Sequence, residues 1–150
     1  MTSKETVDNF MKCKNIAVVG VSRKNSKFGN VIYKELKNKG YNVYGVNPNM
    51  DIIENDKCYK DLHELNGKIE AVVNVVSPKQ TLEVVKEASS IGVKNFWMQQ
   101  GSESDEAINY CKENGINEIH KECILMFTES VDSIHKVHKW FWKILGKLPN

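Results

Sequence analysis

The chain has 150 residues, 41% of them hydrophobic and 27% charged, with a formal net charge of +2 at neutral pH. This length suits one domain, 1–150, and so small a positive balance, spread over lysines in both halves, argues against a nucleic-acid partner. No apolar run approaches the roughly 20 residues of a membrane span, and the polar N-terminus lacks the apolar stretch of a secretion signal, so a cytoplasmic protein with no membrane partner is expected.

In chain order, Ser3 to Lys12 predict a short leading helix with Val7, Phe10 and Met11 on one face. A strand follows over Asn15–Val21, apolar and largely β-branched. It breaks at Gly20 into a polar loop, and the chain resumes helical spacing at Phe28, Val31, Ile32 and Leu36, which predicts a helix over Phe28–Lys39. Next come a strand at Tyr41–Val46, a turn or short helix near Asp61–Leu65, and a strand at Ala71–Val76. A helix at Pro78–Ser90, a strand at Asn95–Met98, a helix at Asp105–Asn114 and a short strand around Asn117–Ile119 complete a core of about 14–127. The tail predicts a helix over about 130–145, with Val131, Ile134, Val137 or His138, Phe141 and Leu145 along one stripe. Trp140 and Trp142 lie off that stripe and either close the core edge or form a contact with another subunit or protein.

Three helical segments run into glycine and then an apolar strand start: Lys39-Gly40-Tyr41, Ile91-Gly92-Val93 and Asn114-Gly115-Ile116. Helix starts are marked by Ser77-Pro78-Lys79-Gln80 and by Ser102 and Ser104 before the acidic Asp105-Glu106 turn. Strands alternating with helices predict an α/β fold, a doubly wound parallel sheet of about five strands with terminal helices.

Cys13, Cys58, Cys111 and Cys123 are widely spaced with no CxxC pair, so reduced thiols are expected and structural zinc is not. His135 and His138 sit one helical turn apart but lack a third ligand, and no metal site is expected. No Ser-His-Asp or Cys-His constellation assembles from local signals. A binding cleft is therefore more legible than a catalyst.

In a sheet of this kind ligands bind beyond the C-terminal strand ends. The loops there are Gly20–Gly29, Asn47-Pro48-Asn49, Ser77-Pro78 and Gln99-Gln100-Gly101. The first holds Ser22, Arg23, Lys24, Ser26 and Lys27 ahead of a helix, an arrangement suited to phosphate. It matches neither GxGxxG, since Ser22 stands where the second glycine would be, nor a Walker A loop. NAD-binding units usually end the second strand in an acid that holds the ribose; here the strand ends in Asn47-Pro48, which disfavours NAD without excluding it.

The strings Val18-Val19-Gly20-Val21-Ser22, Lys27-Phe28-Gly29-Asn30, Lys39-Gly40-Tyr41 and Val46-Asn47-Pro48 resemble the stand-alone CoA-binding domain family. So do Phe96-Trp97-Met98-Gln99-Gln100-Gly101, Ser104-Asp105-Glu106-Ala107 and Glu122-Cys123-Ile124-Leu125-Met126-Phe127, so the match covers about Lys14 to Phe127. The resemblance implies a Rossmann-like domain similar to the CoA-binding part of succinyl-CoA synthetase, with a site for CoA or an acyl-CoA; four loops without an acid/base pair make a non-catalytic carrier or sensor the first expectation. It implies Gly20, Val21, Ser22, Arg23 and the Lys27-Phe28-Gly29 turn around the phosphates. Asn47, Pro48, Ser77 and Pro78 would border the adenosine, with Gln100 and Gly101 across the cleft. Asn49 departs from the basic residue of many relatives, leaving Arg23, Lys24 or Lys57 as substitutes near a 3′-phosphate. The synthetase reaction is not implied, because its phosphohistidine chemistry needs a further domain. The alternatives are an NAD(P)-binding redox protein or sensor, and a subunit of a larger acyl-CoA ligase.

Overall fold

Along Asn15–Val19 (β1) side chains alternate between two faces, as the two-residue period of a strand requires. Ile16 and Val18 enter one hydrophobic layer, Ala17 and Val19 the other, and Ile16, Ala17 and Val18 are wholly buried. A strand buried on both faces needs cover on both. On the first face α1 (Lys4–Met11) and α2 (Phe28–Asn38) supply Val7, Phe10, Ile32, Tyr33 and Leu36. On the second, α3 (Pro78–Ser90) and α4 (Asp105–Glu113) supply Val85, Ala88, Ala107 and Cys111, and a 3-10 turn at Leu62–Leu65 adds its two leucines. This computed structural model describes residues 3–128. The tail stripe from Ser130, with Trp140 and Trp142, lies outside them.

The remaining strands are β2 (Asn42–Val46), β3 (Ile52–Ile53), β4 (Asp56–Tyr59), β5 (Ala71–Asn74), β6 (Asn95–Gln99) and β7 (Asn117–Glu122). They form a seven-stranded sheet in the order β3-β4-β2-β1-β5-β6-β7, parallel throughout except between β3 and β4. Val19 pairs with Val46 on one side and Asn74 on the other. The chain grows outward from β1 in one direction, then returns to grow in the other. The C-terminal end of β1 therefore opens a crevice between connections that leave to opposite faces.

The doubly wound sheet is the one expected, and all five predicted strands are present as β1, β2, β5, β6 and β7. The hairpin of β3 and β4 was not expected. It turns through Glu54 and Asn55, with φ of 48° and 70°, the backbone of a two-residue mirror-image turn. Glu-Asn carries none of the Asn-Gly signal for such a turn, and strands of two and four residues leave no period to read. β1 and β5 each stop two residues short of their predicted ends, at Val19 and Asn74. β7 runs on to Glu122, whose carbonyl accepts from the indole N–H of the buried Trp97 at 3.0 Å.

Gly40, Gly92 and Gly115 follow their helices with positive φ, as predicted. At the helix starts the serines divide. Ser104 caps α4, accepting from the Ala107 N–H at 3.1 Å. Ser77 holds the N-cap position of α3, but its hydroxyl makes no cap bond. Ser102 is no cap at all: it is buried, with its hydroxyl 2.7 Å from the Gln99 carbonyl and 3.0 Å from that of Asn74. The four cysteines are free and buried, and among the described residues no helix is long and apolar enough to cross a membrane.

Candidate functional site

The loop that leaves β1 is shaped by close backbone approach. A Cβ at Gly20, where φ is +116°, would lie 3.2 Å from backbone atoms of Val75 and Val76 on the adjacent β5 connection. A Cβ at Gly29, in the first turn of α2, would lie 2.6 Å from the Gly20 carbonyl oxygen and 3.4 Å from the Val21 Cα. These two glycines bring the start of α2 against the end of β1, the tight-turn and helix-packing roles that a dinucleotide-binding loop gives its outer glycines. On β2, Gly45 has the same character: its Cβ would meet Ile53 at 3.0 Å and Val21 at 3.3 Å. The bare position lets the Val21 side chain tuck under the loop, where it is 1% exposed.

Hydrogen bonds then fix the loop. The buried Asn30 accepts from the Ser22 N–H and donates to the Ser22 carbonyl, both at 2.7 Å. The Ser22 hydroxyl accepts from the Lys24 N–H at 3.2 Å. The Asn47 side-chain amide, just past β2, donates to the Val21 carbonyl at 2.7 Å, and its Oδ1 accepts from the Asn49 N–H at 2.8 Å. Arg23 reaches across to donate to the Asn49 carbonyl at 2.6 Å. The first and second loops are thus tied together at two points.

What remains for a ligand is the outer surface of that loop. Lys27 occupies the N-cap position of α2 without a side-chain cap bond, and its carbonyl takes the N–H groups of Asn30 and Val31. The Gly29 N–H precedes those two donors, at the positive end of the helix. Arg23, Lys24, Ser26 and Lys27 are exposed around it, and the segment from Gly20 to Asn30 contains no carboxylate. The arrangement offers cationic side chains and a helix start to an anion.

Ser77 and Pro78 begin α3 beyond β5, exposed, across from the first loop. Beneath them Asn74 donates to the Thr81 hydroxyl at 2.9 Å, and Thr81 donates to the Ser102 carbonyl at 2.6 Å. This buried network locks the ends of β5 and β6 and the start of α3 to one another. Gln100 is exposed, and Gly101, at φ +95°, takes the Glu103 carboxylate on its N–H at 3.0 Å. Gly20, Val21, Ser22, Arg23, Lys27, Phe28, Gly29, Asn47, Pro48, Ser77, Pro78, Gln100 and Gly101 therefore sit at the C-terminal sheet edge, from the ends of β2, β1, β5 and β6.

Asn47, expected to border the adenosine, has both ends of its amide engaged within the protein. Sequence reasoning gave Asn30, Gly45 and Asn74 no role, although a polar residue on the inner face of a helix or strand is a signal that can be read. Lys57 stands apart, its ammonium 4.8 Å from the Tyr59 ring centre on β4.

His120 on β7 has Nδ1 2.8 Å from a Glu118 carboxylate oxygen. Cys123 follows the strand, buried, and no described hydrogen bond joins it to His120. Burial pushes the Cys123 thiol up, while the Gln99 amide and the N–H groups of Leu125 and Met126 pull it back part of the way. Among the described residues no group of His, Cys, Asp and Glu is disposed to hold a metal ion.

The profile of the family described as CoA binding domain matches residues 14–129, and the chain belongs to that family. It is 32% identical to the uncharacterized protein YneT of Bacillus subtilis, over 80% of this chain and 89% of that one. It is 35% identical to an ADP-forming acetate–CoA ligase of Methanocaldococcus jannaschii over 72% of this chain, which spans only 15% of the ligase. Among solved structures, a conserved hypothetical protein from Pyrococcus furiosus superposes with a TM-score of 0.72 at 42% identity, covering 75% of this chain and 97% of that one. The Rossmann-like α/β fold read from the sequence is the fold these neighbours share.

Proposed function

We propose that this CoA binding domain is a stand-alone, non-catalytic binder of CoA or an acyl-CoA, with the diphosphate on the Gly20–Gly29 loop. The observation that carries the reading is the double constraint on that loop. Gly29 seats the start of α2 against Gly20, and Asn30 holds both backbone groups of Ser22. A loop held at both ends in this way has less ordering entropy to lose when an anion arrives. CoA carries close to four negative charges near neutral pH, roughly two of them on its phosphomonoester. Arg23, Lys24 and Lys27 supply the opposite sign.

The groups present support the non-catalytic part of this reading. Hydrolysis or transfer at a thioester wants a positioned nucleophile or general base. The cleft loops offer hydroxyls, amides and cations, and the carboxylate nearest the fourth loop, Glu103, is bonded to the Gly101 N–H. A second reading, a subunit of a larger acyl-CoA ligase, is supported by the 35% identity to the acetate–CoA ligase. In that reading the same site would present CoA to a partner that carries the chemistry, in a cytoplasmic protein.

Native mass spectrometry of gently purified protein tests the ligand class. A retained mass of CoA or an acyl-CoA supports the proposal, and a retained nicotinamide dinucleotide overturns it.

A further inference from the structure

β4 covers only part of the β2 edge. The two strands pair at Gly45 with Cys58 and at Val46 with Tyr59, and the ladder goes no nearer the start of β2. Asn42 donates to the Lys14 carbonyl at 2.8 Å and Val46 accepts from the Gly20 N–H at 3.1 Å, so these residues turn their backbone groups toward β1. Val43, out of phase with them by one residue, therefore points its N–H and C=O the other way, at an edge that no described strand occupies. A cleft of about 340 Å³ opens there, lined by Val43, Tyr44, Tyr59, Lys37, Asp56 and Lys57. It lies at the start of β2, roughly 13 Å along the strand from Asn47 and the candidate nucleotide cleft.

The charges of the cleft leave one cation over. Lys37 and the Tyr33 hydroxyl both bond Asp56, so that carboxylate is already matched. Lys57 has only the Tyr59 ring, centred 4.8 Å from its ammonium, and Lys68 approaches the same ring at 5.8 Å. Neither lysine has a carboxylate partner among the described residues. The aromatic groups are also incompletely used. Tyr44 and Tyr59 meet edge to face with centres 5.8 Å apart, both half-buried, and neither hydroxyl has a described hydrogen bond. By contrast the hydroxyl of Tyr41, at the same cleft, donates to the Met11 carbonyl at 3.1 Å.

We infer that this cleft is a second ligand site, for a small aromatic carboxylate. The Lys57 ammonium and the Val43 N–H are the donors for the carboxylate, the first charged and the second fixed by the sheet. Tyr44 and Tyr59 give the ligand's ring an aromatic wall, against which offset or edge-to-face contact is favourable. A volume of about 340 Å³ is at the lower end of the roughly 300–1,000 Å³ of small-molecule sites, which suits a one-ring ligand rather than a second nucleotide. A cationic ligand would meet Lys57 with like charge, and an aliphatic one would leave the rings unused.

The inference does not depend on what the nucleotide cleft binds. Amide NMR titration of the full chain with benzoate tests it, with benzamide and acetate as matched probes that lack the charge or the ring. Benzoate is expected to shift the Val43, Tyr44 and Lys57 amides saturably, with a dissociation constant of about a millimolar. Benzamide and acetate should each bind roughly 3- to 10-fold more weakly. Lys57→Gln should weaken benzoate by a similar factor, and Lys57→Arg should keep most of the binding. Lys57 is exposed, so neither change disturbs the core. Saturating CoA should leave the benzoate shifts in place. Benzoate shifts that are absent, unchanged by Lys57→Gln, matched by either control probe, or displaced by CoA overturn the inference. Failure of CoA to bind leaves the inference standing and counts only against the CoA reading.

Discussion

A Cβ at position 29 would fall 2.6 Å from the carbonyl oxygen of Gly20, closer than bonded neighbours aside any carbon approaches oxygen in a folded protein. Both groups are backbone, one in the first turn of α2 and one just past β1, so neither can swing aside. Gly29→Ala must push helix and strand apart. The expected cost is about 1–3 kcal/mol, as for other overpacked sites. Chemical denaturation reads it, and affinity for CoA should fall with it. A variant as stable as wild type would show that the helix start is not seated as described.

Asn30→Ala tests the second constraint. It strands the Ser22 N–H and carbonyl together, and about 1–3 kcal/mol is the usual penalty for a buried polar group left unpaired. Urea unfolding should show the loss, and titration should show weaker CoA binding, since Ser22 would no longer be held. Unchanged binding would mean that the loop does not depend on this clamp.

Acid should destabilise the fold through two carboxyls. Lys37 and the Tyr33 hydroxyl hold Asp56 below its ordinary 3.8, and the N–H groups of Lys14 and Asn15 hold Glu70 below its ordinary 4.5. With folded-state values depressed, the unfolded chain takes up protons first as pH falls. The stability these groups contribute is complete above their ordinary values and is lost as pH drops through the folded-state values. Glu70→Ala should therefore flatten the acid limb of stability against pH, measured by thermal melts between about pH 2 and 6. An acid limb as steep as in wild type would remove Glu70 from the account.

The thiols should be slow. All four cysteines are buried, and burial raises Cys13, Cys58 and Cys123 and pushes Cys111 up to about 12. A disulfide reagent at neutral pH should label them at a small fraction of the rate seen in denaturant. For the same reason, incubation with acetyl-CoA or longer acyl-CoAs should release no free CoA. Turnover that vanished in Cys123→Ala would make Cys123 a nucleophile and end the non-catalytic reading.

Much of this molecule was legible in its residues. Ile16 to Val19 announce a strand buried on both faces, and the glycines after α2, α3 and α4 end those helices where expected. The four loops of the sheet edge followed from that alternation. What the sequence hid was which contacts each residue makes. Gly20 reads as a place where phosphate approaches, yet its missing Cβ is also required by Val75 and Val76 on the connection that follows β5. Gly20→Val should therefore lower stability in chemical denaturation as well as block the site. Asn47 and Ser102 look like ligand and cap, but both are spent inside the protein. The short hairpin through Glu54 and Asn55 left no pattern, because its turn places Glu54 at a positive φ that glutamate seldom adopts.

Competition among CoA, NAD and ATP in one titration tests whether the cleft prefers CoA. CoA carries the diphosphate that all three share in some form, plus a ribose phosphate that NAD and ATP lack. CoA should bind most tightly of the three, and its affinity should weaken as salt screens Arg23, Lys24 and Lys27. Equal or tighter binding of NAD would contradict that preference.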